Sequence, residues 1–278
     1  MSELIAPASA HRVPHKPATA PRRARAVLAS EWIKLRSLRS MLVTSLLAAI
    51  VCVGLAASVC ANYAAQWPHM SAADRAAFNP LDTDIQFVII AGIFLGVLGA
   101  LIATNEYGTG LIRATLAATP QRALVLVAKA ILAGLIAGAV SAVICFAAFF
   151  AGQAILSGRT PHVSLSHPGV LGHLLGAVYY LTATGLIGLF IGSLVRSAAA
   201  AISSVFALML VLPILVNKLP ADAVTRHTVP YLPFNLGSSL WHSPTSGHVS
   251  GRTALVALAA WVLALGALAV AGLRRRDA

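Results

Sequence analysis

The sequence is poor in charge, and most of the charge it has is positive. Only 10% of its 278 residues are Asp, Glu, Lys or Arg, and the acidic residues number just 8. A soluble domain carries about 25% charged residues, so this chain lacks the polar surface to cover a water-facing globule. Apolar residues make up 58% of the sequence and fall into long uncharged runs. This pattern predicts membrane spans rather than a buried soluble core.

The motifs of several enzyme classes are also missing. The sequence has no G-x-x-x-x-G-K-[ST] phosphate-binding loop and no H-E-x-x-H metalloprotease motif. An intramembrane serine protease needs a paired nucleophile and histidine, but Ser193 and His173 fall at opposite ends of one predicted span. We therefore expect no catalytic site, no metal centre and no cofactor in this chain.

Cysteine and histidine do not alter that expectation. Cys52, Cys60 and Cys145 lie inside apolar runs at spacings that fit neither a zinc site nor a disulfide framework, so they are interpreted as packing residues. Six histidines occupy three predicted loops at irregular spacings, and solvated side chains there are favoured over a metal site. They are His69, His162, His167, His227, His242 and His248.

Six apolar runs approach or exceed the ~20 residues that cross a bilayer. The predicted spans are about 41–61, 85–104, 129–156, 170–195, 197–216 and 253–273. Only the neighbourhood of Arg196 separates the fourth run from the fifth, which predicts a tight helical hairpin, and Pro213 is expected to kink the fifth span. The predicted fold is all-α, with a single six-helix transmembrane domain over 24–278 after a disordered cytoplasmic tail over 1–23.

Small residues at four-residue spacing predict close helix packing within the chain, in preference to a contact between two chains. The pairs are Gly92/Gly96, Gly134/Gly138, Gly172/Gly176 and Gly188/Gly192. The middles of the spans carry no ionisable residue, which disfavours an ion-coupled carrier. Four acidic residues are predicted to lie in external loops: Asp74, Asp82, Asp84 and Asp222.

The distribution of basic residues predicts the orientation. With the N-terminus inside, 15 of the 20 Lys and Arg residues lie on the cytoplasmic side, as the positive-inside rule requires. Both termini are therefore predicted to be cytoplasmic. Bases and aromatics do not alternate as in a nucleic-acid groove, so the basic excess indicates attraction to anionic lipid head groups instead.

The segment 24–40 precedes the first span and can form a helix. Leu28, Trp32, Leu35 and Leu38 fall within one broad stripe, which favours a helix lying in the membrane interface. The alternative is a plain basic segment that sets orientation only.

The predicted cytoplasmic link Asn105–Arg122 (NEYGTGLIRATLAATPQR) is the most informative segment. One face of a short helix that Pro120 ends can hold four residues: Leu111, Ala114, Thr115 and Ala118. Such a helix suits docking into a groove on another protein; an ordinary interfacial connector is the alternative.

Two of these segments resemble the permease subunits of ABC transporters of the ABC-2 type, especially those of high-GC Gram-positive bacteria. The stretch SEWIKLRSLRSM (30–41) resembles the helix that precedes their first span, and NEYGTGLIRATLAATPQR resembles the segment after their second span. Six spans, two cytoplasmic termini and a longer external segment, Leu219–Arg252, agree with the family, and the resemblance covers 24–276. Gly108 stands where family members commonly carry a basic or polar residue.

The resemblance implies the permease subunit of an ATP-driven transporter that exports a hydrophobic or amphiphilic compound across the bacterial plasma membrane. ATP and Mg²⁺ would be bound by a separate nucleotide-binding ATPase subunit, present in two copies. A second permease chain, expected to be identical, would complete the path, which the first, second and fifth spans would line. The competing hypothesis is a six-span membrane scaffold or sensor without transport activity.

The resemblance also assigns two groups of site residues. Those that would couple the chain to the ATPase subunit are Glu106, Gly110, Leu111, Arg113, Pro120 and Arg122. Those of the interfacial elbow helix are Leu28, Trp32, Lys34, Leu35 and Arg36. The residues that would bind the exported compound are not assigned.

Overall fold

The computed structural model describes residues 20–37, 39–108, 110, 122–216, 218, 227–241 and 249–275, and these contain helices and connections but no strand. The α-helices are α1 Ala20–Ser37, α2 Arg39–Gln66, α3 Ala72–Ala77, α4 Pro80–Asp84, α5 Val88–Gly108, α6 Arg122–Leu156, α7 Val170–Val195, α8 Ala198–Val216, α9 Pro233–Trp241 and α10 Gly251–Arg275. Short 3₁₀ turns span Trp67–His69, Ile85–Phe87 and Val229–Tyr231.

Six of these helices are long and apolar enough to cross a membrane: α2, α5, α6, α7, α8 and α10. The predicted all-α class and the number of spans are therefore confirmed, and the chain has the form of a multi-pass membrane protein. Consecutive long helices run in opposite directions. The start of α6 consequently lies beside the end of α5, where Lys129 contacts Glu106.

This alternation gives the bundle two ends. The α1 end holds α1, the start of α2, the end of α5, the start of α6 and the end of α10. The α9 end holds α3, α4, α9 and the connection between α6 and α7. The chain enters α2 and leaves α10 at the same end, as the predicted even number of spans requires.

The predicted boundaries are corrected at three places. Residues 20–23, predicted to be part of a disordered tail, form the first turn of α1. Pro21 is compatible with this turn, because the N–H that proline lacks would have no helical partner there. Helix α6 begins at Arg122, about two turns before Lys129, so Lys129 lies inside the helix rather than at its start. Residues 1–19 lie outside the described part of the chain.

The third correction concerns Asp84, which was predicted to lie in an external loop. The Asn79 side chain accepts hydrogen bonds from the backbone N–H groups of Leu81 and Asp82, and Pro80 occupies the first helical position. These are strong helix-start features, so the helix begins several residues before the apolar run. Asp84 is then turned inward and is 1% exposed.

Helices α5 and α7 form the centre of the bundle. In the most apolar stretch of each, 67% of the residues are buried, against 17–28% in the other four long helices. The two helices run parallel, and a Cβ atom at Gly188 would lie 1.9 Å from the carbonyl oxygen of Gly96. No side chain fits there, so the close packing predicted for these glycines within the chain is confirmed.

The other predicted glycine pairs divide. Around Gly192 the fit is similarly close, since a Cβ atom there would lie 2.7 Å from the Ala100 carbonyl oxygen. Gly134 and Gly138 make only ordinary contacts with α7, and Gly172 has no atom within 4 Å of its Cβ position. The position of a glycine in the bundle, and not the four-residue spacing itself, decides whether close helix contact requires a glycine there.

The hairpin predicted between the fourth and fifth spans is confirmed. Arg196 adopts φ 60° and ψ 7°, the left-handed conformation, directly after α7, and α8 begins at Ala198. Within α8, a π-helical turn covers Ala207–Val211 just before Pro213. Proline lacks a backbone donor and its ring crowds the carbonyl four residues earlier, which accounts for this local widening of the helix.

Candidate functional site

Helix α1 packs on the bundle through one face. Val27, Glu31 and Leu35 are buried at four-residue spacing, and Val27 packs with Val125 and Ala128 of α6. Trp32 is 49% exposed and Ile33 is 68% exposed on the other side. A helix that buries one stripe and exposes large apolar residues on another suits an interface between protein and lipid, and lipid contact by Trp32 stays a prediction.

A buried cluster of four charged side chains joins α1 to the ends of α5 and α6. Its members are Glu31 and Lys34 from α1, Glu106 from α5 and Lys129 from α6, and we refer to them as the charge cluster. Lys129 Nζ lies 2.7 Å from Glu31 Oε2 and 2.8 Å from Glu106 Oε1. Lys34 Nζ lies 2.7 Å from Glu31 Oε1 and 3.2 Å from Glu106 Oε1. Each ammonium group thus bridges both carboxylates.

The charge cluster is electrically balanced, and this balance allows it to be buried. The side chain of Glu31 is 0% exposed, that of Lys129 is 7% exposed and that of Glu106 is 8% exposed. A buried pair seldom adds much net stability, but removing one partner leaves an unpaired buried charge and costs about 3–5 kcal/mol. The geometry therefore makes the four groups depend on one another.

The environment shifts the pKa values of Glu31 and Lys34, the two members of the charge cluster on α1, in opposite directions. Burial raises the pKa of Glu31, but attraction to Lys129 and hydrogen bonds from Lys129 and Lys34 outweigh burial and lower it below its usual 4.5. Burial lowers the pKa of Lys34, but the hydrogen bonds and attraction of Glu31 and Glu106 outweigh burial and raise it above its usual 10.5. Both residues are thus held in their charged forms.

Glu106 has a second feature. Its Oε1 atom serves both ammonium groups, while its Oε2 atom is buried and receives no hydrogen bond from the described residues. A buried carboxylate oxygen without a donor costs free energy. Glu106 is therefore the least satisfied member of the charge cluster.

The charge cluster brings together two groups of predicted residues. Glu106 was assigned to coupling and Lys34 to the elbow helix, and the structure places their side chains in contact. Glu31 and Lys129 were missed, although a lone charge in an apolar run, such as Lys129, is the usual sign of an intramembrane partner. Glu31 and Lys129 are 98 residues apart, so the sequence did not indicate that they would pair.

The remaining predicted residues are placed as follows. Leu28 is half-buried beside the Val27 contact, Leu35 is buried and Arg36 is exposed. Gly110 has φ 71° just beyond α5, a conformation that favours glycine. Three of the predicted coupling residues lie outside the described part of the chain: Leu111, Arg113 and Pro120. For Arg122 only the backbone is described, and it forms the start of α6.

A further contact lies at the same end of the bundle. The guanidinium carbon of Arg196 sits 5.4 Å from the centre of the Tyr107 ring, a distance typical of a cation–π contact. Tyr107 follows Glu106 directly. The α7–α8 turn is thereby joined to the end of α5, next to the charge cluster.

Within the described ranges, no three His, Cys, Asp or Glu side chains are close enough to hold a metal ion. Cys52, Cys60 and Cys145 are buried free thiols. The chemistry of the described residues is thus that of charge pairing and helix packing.

The fold and the charge cluster define a class: a multi-pass membrane protein in which an amphipathic helix is locked onto the bundle by buried, balanced charges. Comparison with known proteins does not narrow this class. No protein-family model matches the chain, and no curated protein matches it.

Proposed function

We propose that this chain is the membrane-spanning permease subunit of an ATP-driven ABC transporter of the ABC-2 type. In this proposal it exports a hydrophobic or amphiphilic compound, and a separate subunit hydrolyses ATP. The observation that carries the proposal is the position of the charge cluster. It ties α1 to α5 and α6, the two helices that flank the segment 109–121, which was predicted to dock onto a partner.

The two segments that resemble the family are far apart in sequence, and the charge cluster joins them. Glu31 and Lys34 come from SEWIKLRSLRSM, and Glu106 comes from NEYGTGLIRATLAATPQR. A scaffold has no need for three elements to move as a unit, whereas a permease driven from one short contact does. This difference favours transport over the scaffold alternative.

The proposed mechanism uses the dependence of the four charges on one another. A partner that closes on ATP would push the segment 109–121 and hence the ends of α5 and α6. Because Lys129 and Glu31 cannot separate without stranding a buried charge, α1 would follow. The free energy for the change comes from ATP bound in the partner, which must favour one state of the permease over the other.

The proposed orientation places the α1 end in the cytoplasm. The positive-inside rule supports it, since Lys34, Arg196 and the arginines that end α10, Arg274 and Arg275, all lie at this end. The partners in this assembly are two ATPase subunits, a second permease chain and the surrounding lipids.

The first test is whether a neighbouring reading frame encodes a P-loop ATPase, and the second is reconstitution of this chain with that ATPase. The pair is expected to co-purify, and vesicles in which the α1 end faces outward should accumulate an amphiphilic probe on addition of ATP. Glu106→Gln should reduce the stimulation of ATP hydrolysis by the probe, and it should also lower the thermal midpoint, because the two lysines of the charge cluster are left with one carboxylate. Arg113→Ala tests the predicted link directly.

Asp74→Asn is the matched control, because Asp74 is an exposed acid in α3 at the other end of the bundle. It should leave transport and ATP hydrolysis unchanged. Accumulation of the probe without any nucleotide-hydrolysing partner would refute the proposal. Failure of the ATPase to bind, with no ATP-dependent accumulation, would favour the scaffold or sensor instead.

A further inference from the structure

Among the acidic residues that the structure describes, Asp84 is the most deeply buried outside the charge cluster. It ends α4 at the α9 end of the bundle, where the chain turns into α5, and only 1% of it is exposed. The proposed transport function gives it no role.

Three elements enclose the Asp84 carboxyl group. Its Oδ2 atom accepts a hydrogen bond from Gln153 Nε2 of α6 at 3.1 Å, and its Oδ1 atom lies 3.8 Å from Cys60 Sγ of α2. Helix α6 approaches Oδ1 so closely that a Cβ atom on Gly152 would lie 2.1 Å from it. The carboxyl group is thus packed against backbone on one side and a thiol on another.

The Gln153 amide is held in one orientation. Its Oε1 atom accepts a hydrogen bond from the backbone N–H of Val163 at 2.8 Å, and its Nε2 atom also donates to the Pro80 carbonyl oxygen at 3.3 Å. A flip of the amide would lose these bonds. The NH₂ group is therefore fixed toward Asp84, and the site also holds the connection between α6 and α7.

No cation faces Asp84 in the described part of the chain. None of the ion pairs there includes it, all four belonging to the charge cluster at the other end. The titratable group that α2 presents to it is the Cys60 thiol, and α6 presents only the neutral Gln153 amide. On α4 itself, the Asp82 carboxylate accepts a hydrogen bond from Asn79.

A carboxylate in such a place is unfavourable. Burying an ionised carboxyl group without a countercharge costs several kcal/mol, and one amide donor does not offset that cost. The neutral acid avoids it. Oδ2 accepts the shorter hydrogen bond, from the Gln153 amide, whereas Oδ1 accepts only a long one from the Cys60 thiol. The proton therefore belongs on Oδ1, where the Cys60 sulfur changes from a weak donor to a weak acceptor.

We propose that Asp84 is a proton-binding site that is uncharged while α2, α4 and α6 are packed together, and that loss of its proton opens this end of the bundle to water. The ligand is a proton, and the site joins three elements through one carboxyl group. Release of the proton creates a charge that only water can stabilise there, so the packing of Cys60 and Gly152 must loosen with it. The inference stands independently of the transport function.

Infrared spectroscopy of the protein in lipid nanodiscs at neutral pH tests the protonation state. The carbonyl band of a protonated carboxyl group should be present in the wild type and in the control Asp82→Asn, and should be lost in Asp84→Asn. Asparagine matches the neutral acid in shape and charge, so Asp84→Asn should fold. A difference spectrum in which Asp84→Asn instead loses an ionised carboxylate band would overturn the proposal.

A second variant keeps the carboxyl group in place. Gln153→Leu removes the hydrogen bond to Oδ2, so the band of the protonated acid should shift to higher frequency without disappearing. An unshifted band would show that the group observed is not Asp84. This readout stands even if Asp84→Asn proves unstable.

Alkylation of Cys60 tests the opening. The rate of maleimide modification at this residue, followed by mass spectrometry, should rise more steeply with pH in the wild type than in Asp84→Asn. Cys52, buried in the same helix, serves as the internal reference. Equal pH dependence in the two proteins would contradict a proton-linked opening.

Discussion

At the scale of single residues, Glu31 carries the attachment of α1. Both of its carboxylate oxygens are paired, one with each lysine of the charge cluster, and the side chain has no exposed surface. Leu35 and Val27 flank it with apolar packing on the same face. The position of α1 on the bundle is thus specified by charge pairing as well as by burial.

The first prediction removes one cation. Lys129→Met leaves two buried carboxylates with a single ammonium group, and should destabilise the protein by about 3–5 kcal/mol. Adding Glu31→Gln removes the surplus negative charge and should restore part of that loss. Unfolding in detergent micelles measures both, and Arg36→Met, on the exposed face of α1, is the control. A double variant no more stable than Lys129→Met would contradict the coupling of the two residues.

The second prediction concerns pH. The stabilisation from Glu31 should be complete above pH 4.5 and be lost as the pH falls through its lowered pKa. That from Lys34 should be complete below pH 10.5 and be lost as the pH rises through its raised pKa. Thermal midpoints measured across pH should decline at both extremes, and Glu31→Gln should weaken the acid decline selectively. If the thermal midpoint of Glu31→Gln falls at low pH as steeply as that of the wild type, other carboxyl groups cause the fall.

At the scale of helices, the bundle is organised by the contact between α5 and α7. Their backbones touch at Gly96 and Gly188, with a similar close approach between Gly99 and Gly185. Close backbone approach is the main source of packing energy available to helices in lipid, where the hydrophobic effect does not drive association. Helices α2 and α10, by contrast, remain largely uncovered by the rest of the chain.

The third prediction tests that contact. Gly188→Ala would place a methyl group 1.9 Å from the Gly96 carbonyl oxygen, so α5 and α7 must separate and the loss should exceed the ~1–3 kcal/mol typical of overpacking. Gly172→Ala, in open space on the same helix, should have almost no effect on stability. The yield of monodisperse protein and its thermal midpoint compare the two. Similar behaviour of both variants would show that the contact is not essential.

The long helices were predictable because each is an apolar run of span length, and the α7–α8 hairpin because Arg196 leaves no room for a loop. The early starts of α4 and α6 were not, since the cap at Asn79 lies outside one apolar run and the charge of Lys129 interrupts the other. The charge cluster was half predictable. Glu106 and Lys34 were assigned as site residues from the resemblance, but the contacts of Lys129 with Glu31 and Glu106 depend on how helices distant in sequence pack.

At the scale of the whole molecule, the alternation of six long helices places the start of α2 and the end of α10 at the same end of the bundle. Among the described residues, most lysines and arginines lie at the α1 end, and the α9 end carries the short helices α3, α4 and α9. All three cysteines are buried, so the protein offers a low background for labelling.

The fourth prediction is the orientation. Ser164→Cys, in the exposed connection between α6 and α7, should react with a membrane-impermeant maleimide in intact cells. Ser197→Cys, exposed in the α7–α8 turn, should react only after the membrane is permeabilised. The reverse result would place the segment 109–121 outside the cell and would rule out a cytoplasmic ATPase contact there.

The contact of Gly96 with Gly188 also constrains how the molecule can change shape. Two helices whose backbones touch have no side chains between them to rearrange, so α5 and α7 must tilt together as one rigid unit. Any passage that opens and closes must then form along the outer surfaces of the α5–α7 pair, against α2, α8 or α10. The charge cluster binds the end of α5 and Asp84 lies just before its start. A displacement of the pair at one end of the bundle would therefore be transmitted to the other end.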